Sequence, residues 1–337
     1  MLTRLRQRAG EVRAAAFRAS RGSNSSLTTA QRENAARLGE LTGESIDGVV
    51  ARLGPRAIPT GRVHLSPTIP QLLATQFVDA GVRDGTPYVV LPNGRTFYGL
   101  PSAPTHIRQH RLLRGVLDER IPEAGFICAL DVVHRYVADR TVPVHLLPGQ
   151  GGVVVEVGAY LGHKAIRMMD ASIGDTGHFV GIELLPDNCE LMARNFAENG
   201  FDNAVIVPEG VWNEPDRIEV MGKGRQRHTL VDIDGGRLSE GTGYLAPVNP
   251  LDHILERFLP ADATIDFMYM SVNGAEIEAL DGLHAWAERV RAIYVAANYQ
   301  RDGLETVGRV RAQLADLGFQ VTNTDGRRNP LGLRNVD

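Results

Sequence analysis

The sequence predicts an α/β protein: a mostly parallel sheet with helices on both faces, preceded by a mainly helical N-terminal extension. Two observations carry this reading. From about Val142 onward, short apolar runs of strand length alternate with helical patterns, as strands joined by crossover helices do. Before that point the periodicity is helical apart from one hairpin signal. Size and balance agree with a globular chain of 337 residues, 43% apolar and 23% charged, enough for one large domain or two modest ones.

Residues 1–26 read as a basic helix and a linker. Arg4, Arg6, Arg8, Arg13, Arg18 and Arg21 face a single acid, Glu11, with Leu2, Leu5, Val12 and Phe17 interleaved. Such a segment is a solvated terminal helix, a contact for an anionic membrane surface or a protein partner, or, least in keeping with the rest, an organelle transit peptide. Ser20 to Ser26 is the linker. Residues 27–142 form a cap or accessory region. Thr28 and Gln31 make a capping box for a helix through Leu41, and a second helix covers Ile46 to Leu53. A third is expected near Gln71 to Ala80, ended by Gly81. Tyr88 to Tyr98 is a hairpin whose Asn93-Gly94 supplies the positive φ values of a type I′ turn. Thr105 to Arg120 is helical and carries His106, Arg108, His110, Arg111 and Arg114, a solvated face or an anion-binding row.

Residues 143–337 hold the alternation. Strands are expected at Val153 to Val157, Gly177 to Glu183, Ala204 to Val207, Ile265 to Met270, Val290 to Ala297 and Phe319 to Thr322. Helices are expected at Lys164 to Ala171, Asp187 to Asn199, Ala275 to Leu280 and Leu304 to Leu317. Between Asn213 and Pro250 the alternation breaks, which predicts short antiparallel strands or a loop over the sheet edge.

Ligands in such sheets bind at the carboxyl ends of the strands. There the first strand runs into Glu156-Val-Gly158-Ala-Tyr160-Leu-Gly162 and opens a helix. Gly158 permits a tight turn and close backbone approach, and the new helix start favours a carboxylate. Glu156 can accept from an ammonium. About twenty residues beyond Gly162 the next strand ends at Glu183, an acid placed to accept both ribose hydroxyls. The third strand ends at Glu209-Gly210, where Glu209 can meet an adenine amino group, and Trp212 reads as core packing. The glycine spacing is not that of a pyrophosphate site. The constellation therefore predicts S-adenosyl-L-methionine, with Glu156, Gly158, Tyr160, Gly162, Glu183, Glu209 and Gly210 around it.

These blocks resemble the FkbM family of S-adenosylmethionine-dependent methyltransferases over about Val153 to Phe319. The blocks are Val153 to Gly162, Gly181-Ile-Glu183-Leu-Leu-Pro186-Asp with Asn195, Pro250 to Leu255, and Ile265 to Gly282. The resemblance implies the Rossmann-like sheet of class I methyltransferases and O-methylation of a small or carbohydrate-like acceptor. Three positions depart from the family pattern: Tyr269 stands where lysine is usual, Ser271 where aspartate is, and Asn273 where an acid is. The alternative is a catalytically silent methyltransferase-like subunit for binding or assembly.

Methyl transfer to a hydroxyl is helped by a base within hydrogen-bond reach, and the candidates around the reaction are His163, Ser271, Asn273 and Glu276. No ligand spacing predicts a metal. A net charge of −4 gives no general argument for a nucleic-acid partner. Cys128 and Cys189 lie far apart, which suggests a reducing compartment, and the N-terminus lacks a secretory apolar stretch. A cytoplasmic protein, peripheral to a membrane if residues 1–22 bind one, is expected, with the N-terminal region as cap, lid or dimer surface.

Overall fold

The computed structural model describes residues 27–55, 58, 75–100, 123–137, 144–174, 176–222, 228–231, 241–323 and 329–334. The basic segment 1–22, the row from His106 to Arg114 and the expected boundary near residue 142 lie outside them.

The accessory region begins with α1 (Thr29–Thr42) and α2 (Ile46–Leu53). The capping box forms as expected: Gln31 N–H donates to Thr28 Oγ1 and Thr28 N–H to Gln31 Oε1. A three-stranded antiparallel sheet follows, β1 (Asp79–Arg83), β2 (Thr86–Val90) and β3 (Thr96–Tyr98). The helix expected to reach Ala80 is corrected there, because Asp79 and Ala80 pair with Val90 and Val89. Asp84 and Gly85, with φ of 52° and 76°, make a two-residue type I′ turn between β1 and β2. The Asn93-Gly94 hairpin exists, but only Gly94 is left-handed (φ 82°). Gly94 N–H donates to Leu91 O and Leu91 N–H to Arg95 O, so Pro92 opens a three-residue loop that ends in a left-handed glycine. Helix α3 (Glu123–Val132) then runs into a π-helical turn, Val133–Val137.

The seven-stranded sheet has the order β15-β16-β12-β11-β4-β5-β6. Its members are β4 (Val153–Val157), β5 (His178–Ile182), β6 (Ala204–Val207), β11 (Phe267–Met270), β12 (Ala292–Val295), β15 (Gln320–Asn323) and β16 (Pro330–Leu333). Strands β4, β5, β6, β11 and β12 are parallel, and β16 runs antiparallel between β12 and β15. Alternate strand residues serve opposite layers. Val154, Phe179, Phe267 and Tyr269 pack with α4 (His163–Met168), α5 (Pro186–Glu198) and α3. Val155, Val180, Met268 and Ile293 pack with α6 (Leu251–Phe258), α7 (Glu276–Asp281) and α8 (Thr306–Asp316). The accessory region thus shares the core of one face.

The interrupted stretch forms antiparallel strands, as expected: β7 (Gly210–Val211), β8 (Asp216–Gly222), β9 (His228–Thr229) and β10 (Gly241–Asn249), in the order β7-β10-β8-β9. Trp212 packs against this small sheet. Helix α8 begins at Thr306 rather than Leu304. The cause is another type I′ turn at Asp302-Gly303 (φ 55° and 77°), which folds β13 (Gln300–Arg301) onto β14 (Leu304–Glu305). No described helix is long and apolar enough to cross a membrane.

Candidate functional site

The turn after β4 is held in a strained shape. Gly158, Tyr160 and Gly162 have φ of 83°, 55° and 75°. A Cβ on Gly158 would lie 2.2 Å from Ser271 O, because β11 runs beside β4 and its end passes directly over the turn. Gly162 is required for packing, since a Cβ there would meet Phe196 and Met192 of α5 at 2.8 and 2.9 Å. Tyr160 is held in the left-handed region by Glu183, whose Oε2 accepts from Tyr160 N–H at 2.9 Å.

Glu183 is buried. Its Oε1 accepts from Leu185 N–H at 3.0 Å and from Asn188 Nδ2 at 3.2 Å. Of a carboxylate's about four acceptor sites, three serve the protein, leaving about one for a ligand where the sequence reading expected both ribose hydroxyls. Burial raises the Glu183 carboxyl above its ordinary pKa, against the donors that favour the anion.

Two cavities meet at Gly158. The first is lined by Val157, Ile182, Leu184, Val211, Leu230 and Val272, with Glu209, Gly210 and Thr229 as its polar edge. Its walls are apolar, as the surroundings of an aromatic base are. Glu209 is already engaged: Arg257 forks onto it at 2.8 and 2.7 Å and Asn249 Nδ2 donates at 2.8 Å. Burial works against its ionisation, yet those donors hold the carboxyl below its ordinary value. Glu209 thus ties α6 to the end of β6, besides edging the cavity.

The second cavity is polar. Arg135, Glu156, Tyr160, His163, Lys164, Tyr269 and Ser271 line it along with the turn. Lys164 Nζ donates to Tyr269 Oη at 2.6 Å and sits 3.8 Å from the centre of its ring. Where Tyr269 replaces the usual lysine of β11, an ammonium therefore arrives from α4. Tyr269 also stacks on Tyr294, centroids 5.0 Å apart.

Of the four candidates for the reaction, Ser271 and His163 line the polar cavity and Asn273 and Glu276 do not. Asn273 is left-handed (φ 52°) and accepts from Tyr299 Oη at 2.6 Å. His163 is buried, its Nε2 3.0 Å from Tyr98 O and its Nδ1 3.5 Å from Asp131 Oδ2. Both ring nitrogens face protein groups, so the histidine joins the accessory region to α4 at the wall of the polar cavity. Glu276 is fully buried, and Gly274 N–H donates to its Oε1 at 3.0 Å.

Burial raises the Glu276 carboxyl from 4.5 to about 7. Between those values the native state holds more protons than the unfolded chain, so stability falls as pH rises through this window and levels above it. We expect a loss of about 3 kcal/mol between pH 4.5 and 7 from this group. Urea unfolding across the range checks it: Glu276→Gln should remove most of that slope, and an unaltered slope would contradict the assignment.

Sequence reasoning missed Arg135, Lys164 and the Asp131 that holds Arg135. The spacing of Asp131 and Arg135 was the available signal, one helical turn apart and joined at 2.9 Å. Among the described residues no group of three or more His, Cys, Asp or Glu is gathered as metal ligands.

Residues 156–321 match the family model of the methyltransferase FkbM domain, which bears out the resemblance, and the seven-stranded sheet is the expected class I methyltransferase sheet. No curated protein matches the chain. Among solved structures, the chain is similar to the methyltransferase FkbM from Methylobacillus flagellatus, at 14% identity and a TM-score of 0.40. That match covers 69% of this chain and 56% of the other, so the chain spans little more than half of that relative's length. It is also similar to a SAM-dependent methyltransferase from Aquifex aeolicus, at 14% identity, 56% and 84% coverage and a TM-score of 0.33. Aeropyrum pernix fibrillarin, solved with natively bound S-adenosyl-L-methionine, matches at 12% identity, 77% and 98% coverage and a TM-score of 0.34.

Proposed function

From the premise that residues 156–321 form a methyltransferase FkbM domain, we propose that the protein binds S-adenosylmethionine across Gly158 and methylates a hydroxyl of a small or carbohydrate-like acceptor. One observation carries the reading: an apolar cavity and a charged cavity share Gly158 as their common wall. A ligand with an aromatic nucleoside at one end and an amino acid at the other fits that division. A side chain at 158 would collide with the backbone of Ser271.

When bound, the cofactor supplies a methyl group on a sulfonium. The protein's part is placement, which in favourable cases is worth about 7–11 kcal/mol. Glu183 fixes the turn through Tyr160 N–H and keeps acceptor capacity for a ribose hydroxyl. Leu184, Val211 and Val272 exclude water from the base. Ser271 and Tyr269 from the end of β11 and Lys164 from α4 face the polar cavity, beside which the acceptor's hydroxyl would be held.

A silent binding role is the second reading. It is favoured by the placement of Glu276 and His163, both fully buried among protein groups. Detection of a methylated product from a panel of glycans and small hydroxylated molecules separates the two. For the cofactor site, titration calorimetry of Glu183→Ala should show affinity weakened by about 1–3 kcal/mol, the worth of a charge-assisted hydrogen bond. Unchanged affinity would remove Glu183 from the site.

A further inference from the structure

The glycine turn spends its own amides. Gly158 and Ala159 N–H both donate to Ile182 O, Tyr160 N–H to Glu183, and Gly162 N–H to Ala159 O. The helix that follows, α4, has six residues. A carboxylate beside this turn therefore finds most of its amides already taken, and a donor from elsewhere would hold it better.

Arg135 is that donor's position. It lies on the π-helical turn after α3 in the accessory region and lines the polar cavity with Glu156. Its Nε is fixed by Asp131 Oδ1 at 2.9 Å, and its guanidinium carbon lies 4.3 Å from the centre of the Tyr160 ring. Among the described residues its two terminal nitrogens make no hydrogen bond, and the side chain keeps 33% exposure. A guanidinium anchored at one nitrogen and stacked on one face presents its remaining N–H groups as a fixed fork, the geometry that matches a carboxylate. Burial works against ionisation at Asp131, yet Arg135 and His163 hold its carboxyl well below the usual range, which keeps the anchor charged. Glu156, buried at the end of β4, supplies the opposite charge in the same cavity. An acid and a guanidinium side by side are the complement of an α-amino acid, whose ammonium and carboxylate stand on one carbon.

We propose that Arg135 of the accessory region binds the carboxylate at the amino-acid end of the cofactor, with Glu156 on its ammonium. This rests on the cofactor reading above. It makes the N-terminal region part of the cofactor site rather than only a cover for the acceptor.

The test compares two nucleosides on the full chain: S-adenosylhomocysteine, which carries the amino acid, and 5′-methylthioadenosine, which lacks it. The wild type should hold the first at least about ten-fold tighter, as expected for a charge-assisted fork. In Arg135→Gln that preference should shrink to within about three-fold, with 5′-methylthioadenosine affinity unchanged. A preference unchanged in Arg135→Gln would overturn the proposal and leave the cofactor reading standing. A wild type that binds neither nucleoside would overturn both. Should Arg135→Gln fail to fold, Arg135→Lys decides by the same ratio, because the ammonium cannot reproduce the fork: a reduced preference supports the proposal and an unchanged one overturns it.

Discussion

Gly158→Ala should cost about 3–5 kcal/mol of folding stability and abolish nucleoside binding, combining a strained left-handed backbone with an overpacked contact. The added methyl would sit 2.2 Å from Ser271 O, a backbone atom of the adjoining strand end. Relief requires β4 and β11 to part where the two cavities join. Gly43 is the internal control: it is equally left-handed (φ 72°), but a Cβ there meets nothing within 4 Å. Gly43→Ala should therefore cost only about 1 kcal/mol, the backbone share alone. Thermal and urea unfolding of both variants check the contrast. Equal costs would show that the close approach at Gly158 does not govern the site.

Asn195→Ala should destabilise the protein by about 3–5 kcal/mol, because it strands buried polar groups as well as leaving a cavity. Asn195 is fully buried on α5. Its Oδ1 accepts from Tyr98 N–H at 2.6 Å, and its Nδ2 donates to Tyr98 O at 3.1 Å and to Leu161 O at 2.8 Å. One side chain thus ties the edge strand β3 of the accessory sheet to the glycine turn. Asn199 repeats the clasp one helical turn on, bonding Thr96 through both its N–H and its carbonyl. Amide exchange at Tyr98 should accelerate in Asn195→Ala ahead of exchange in β4. A stability loss below about 1 kcal/mol would show that the accessory sheet is held by apolar packing and not by this bond set.

The parallel sheet was legible because its strands are short apolar runs between helical patterns, and burial on both faces imposes that texture. The strand ends that carry Gly158, Glu183 and Gly210 were legible for a related reason: glycines and an acid stand out there, where topology puts ligands. Local chemistry was less decisive. Asp84-Gly85 and Asp302-Gly303 form the type I′ turns, whereas Asn93-Gly94, the stronger-looking signal, does not, because Pro92 before it opens the turn one residue earlier. Strand β16 escaped notice since Pro330-Leu-Gly-Leu is short and carries two strand-breaking residue types.

The charged cavity was least legible. Arg135 and Lys164 reach it from α3's extension and from α4, and only the packing of the accessory region on the sheet brings them together with Tyr269. His163 illustrates the converse: a histidine next to a ligand turn reads as a catalytic candidate, but the fold surrounds it with Tyr98 O and Asp131. Asn195 belonged to a recognised block without a role, and its role is tertiary.

The central claim is that the two cavities joined at Gly158 hold one S-adenosylmethionine. Titration calorimetry of the full-length chain with S-adenosylmethionine and with its demethylated product tests this most directly. Saturable binding of one cofactor per chain is expected for both ligands. Absence of binding at about 1 mM, a free energy weaker than about 4 kcal/mol, would contradict it.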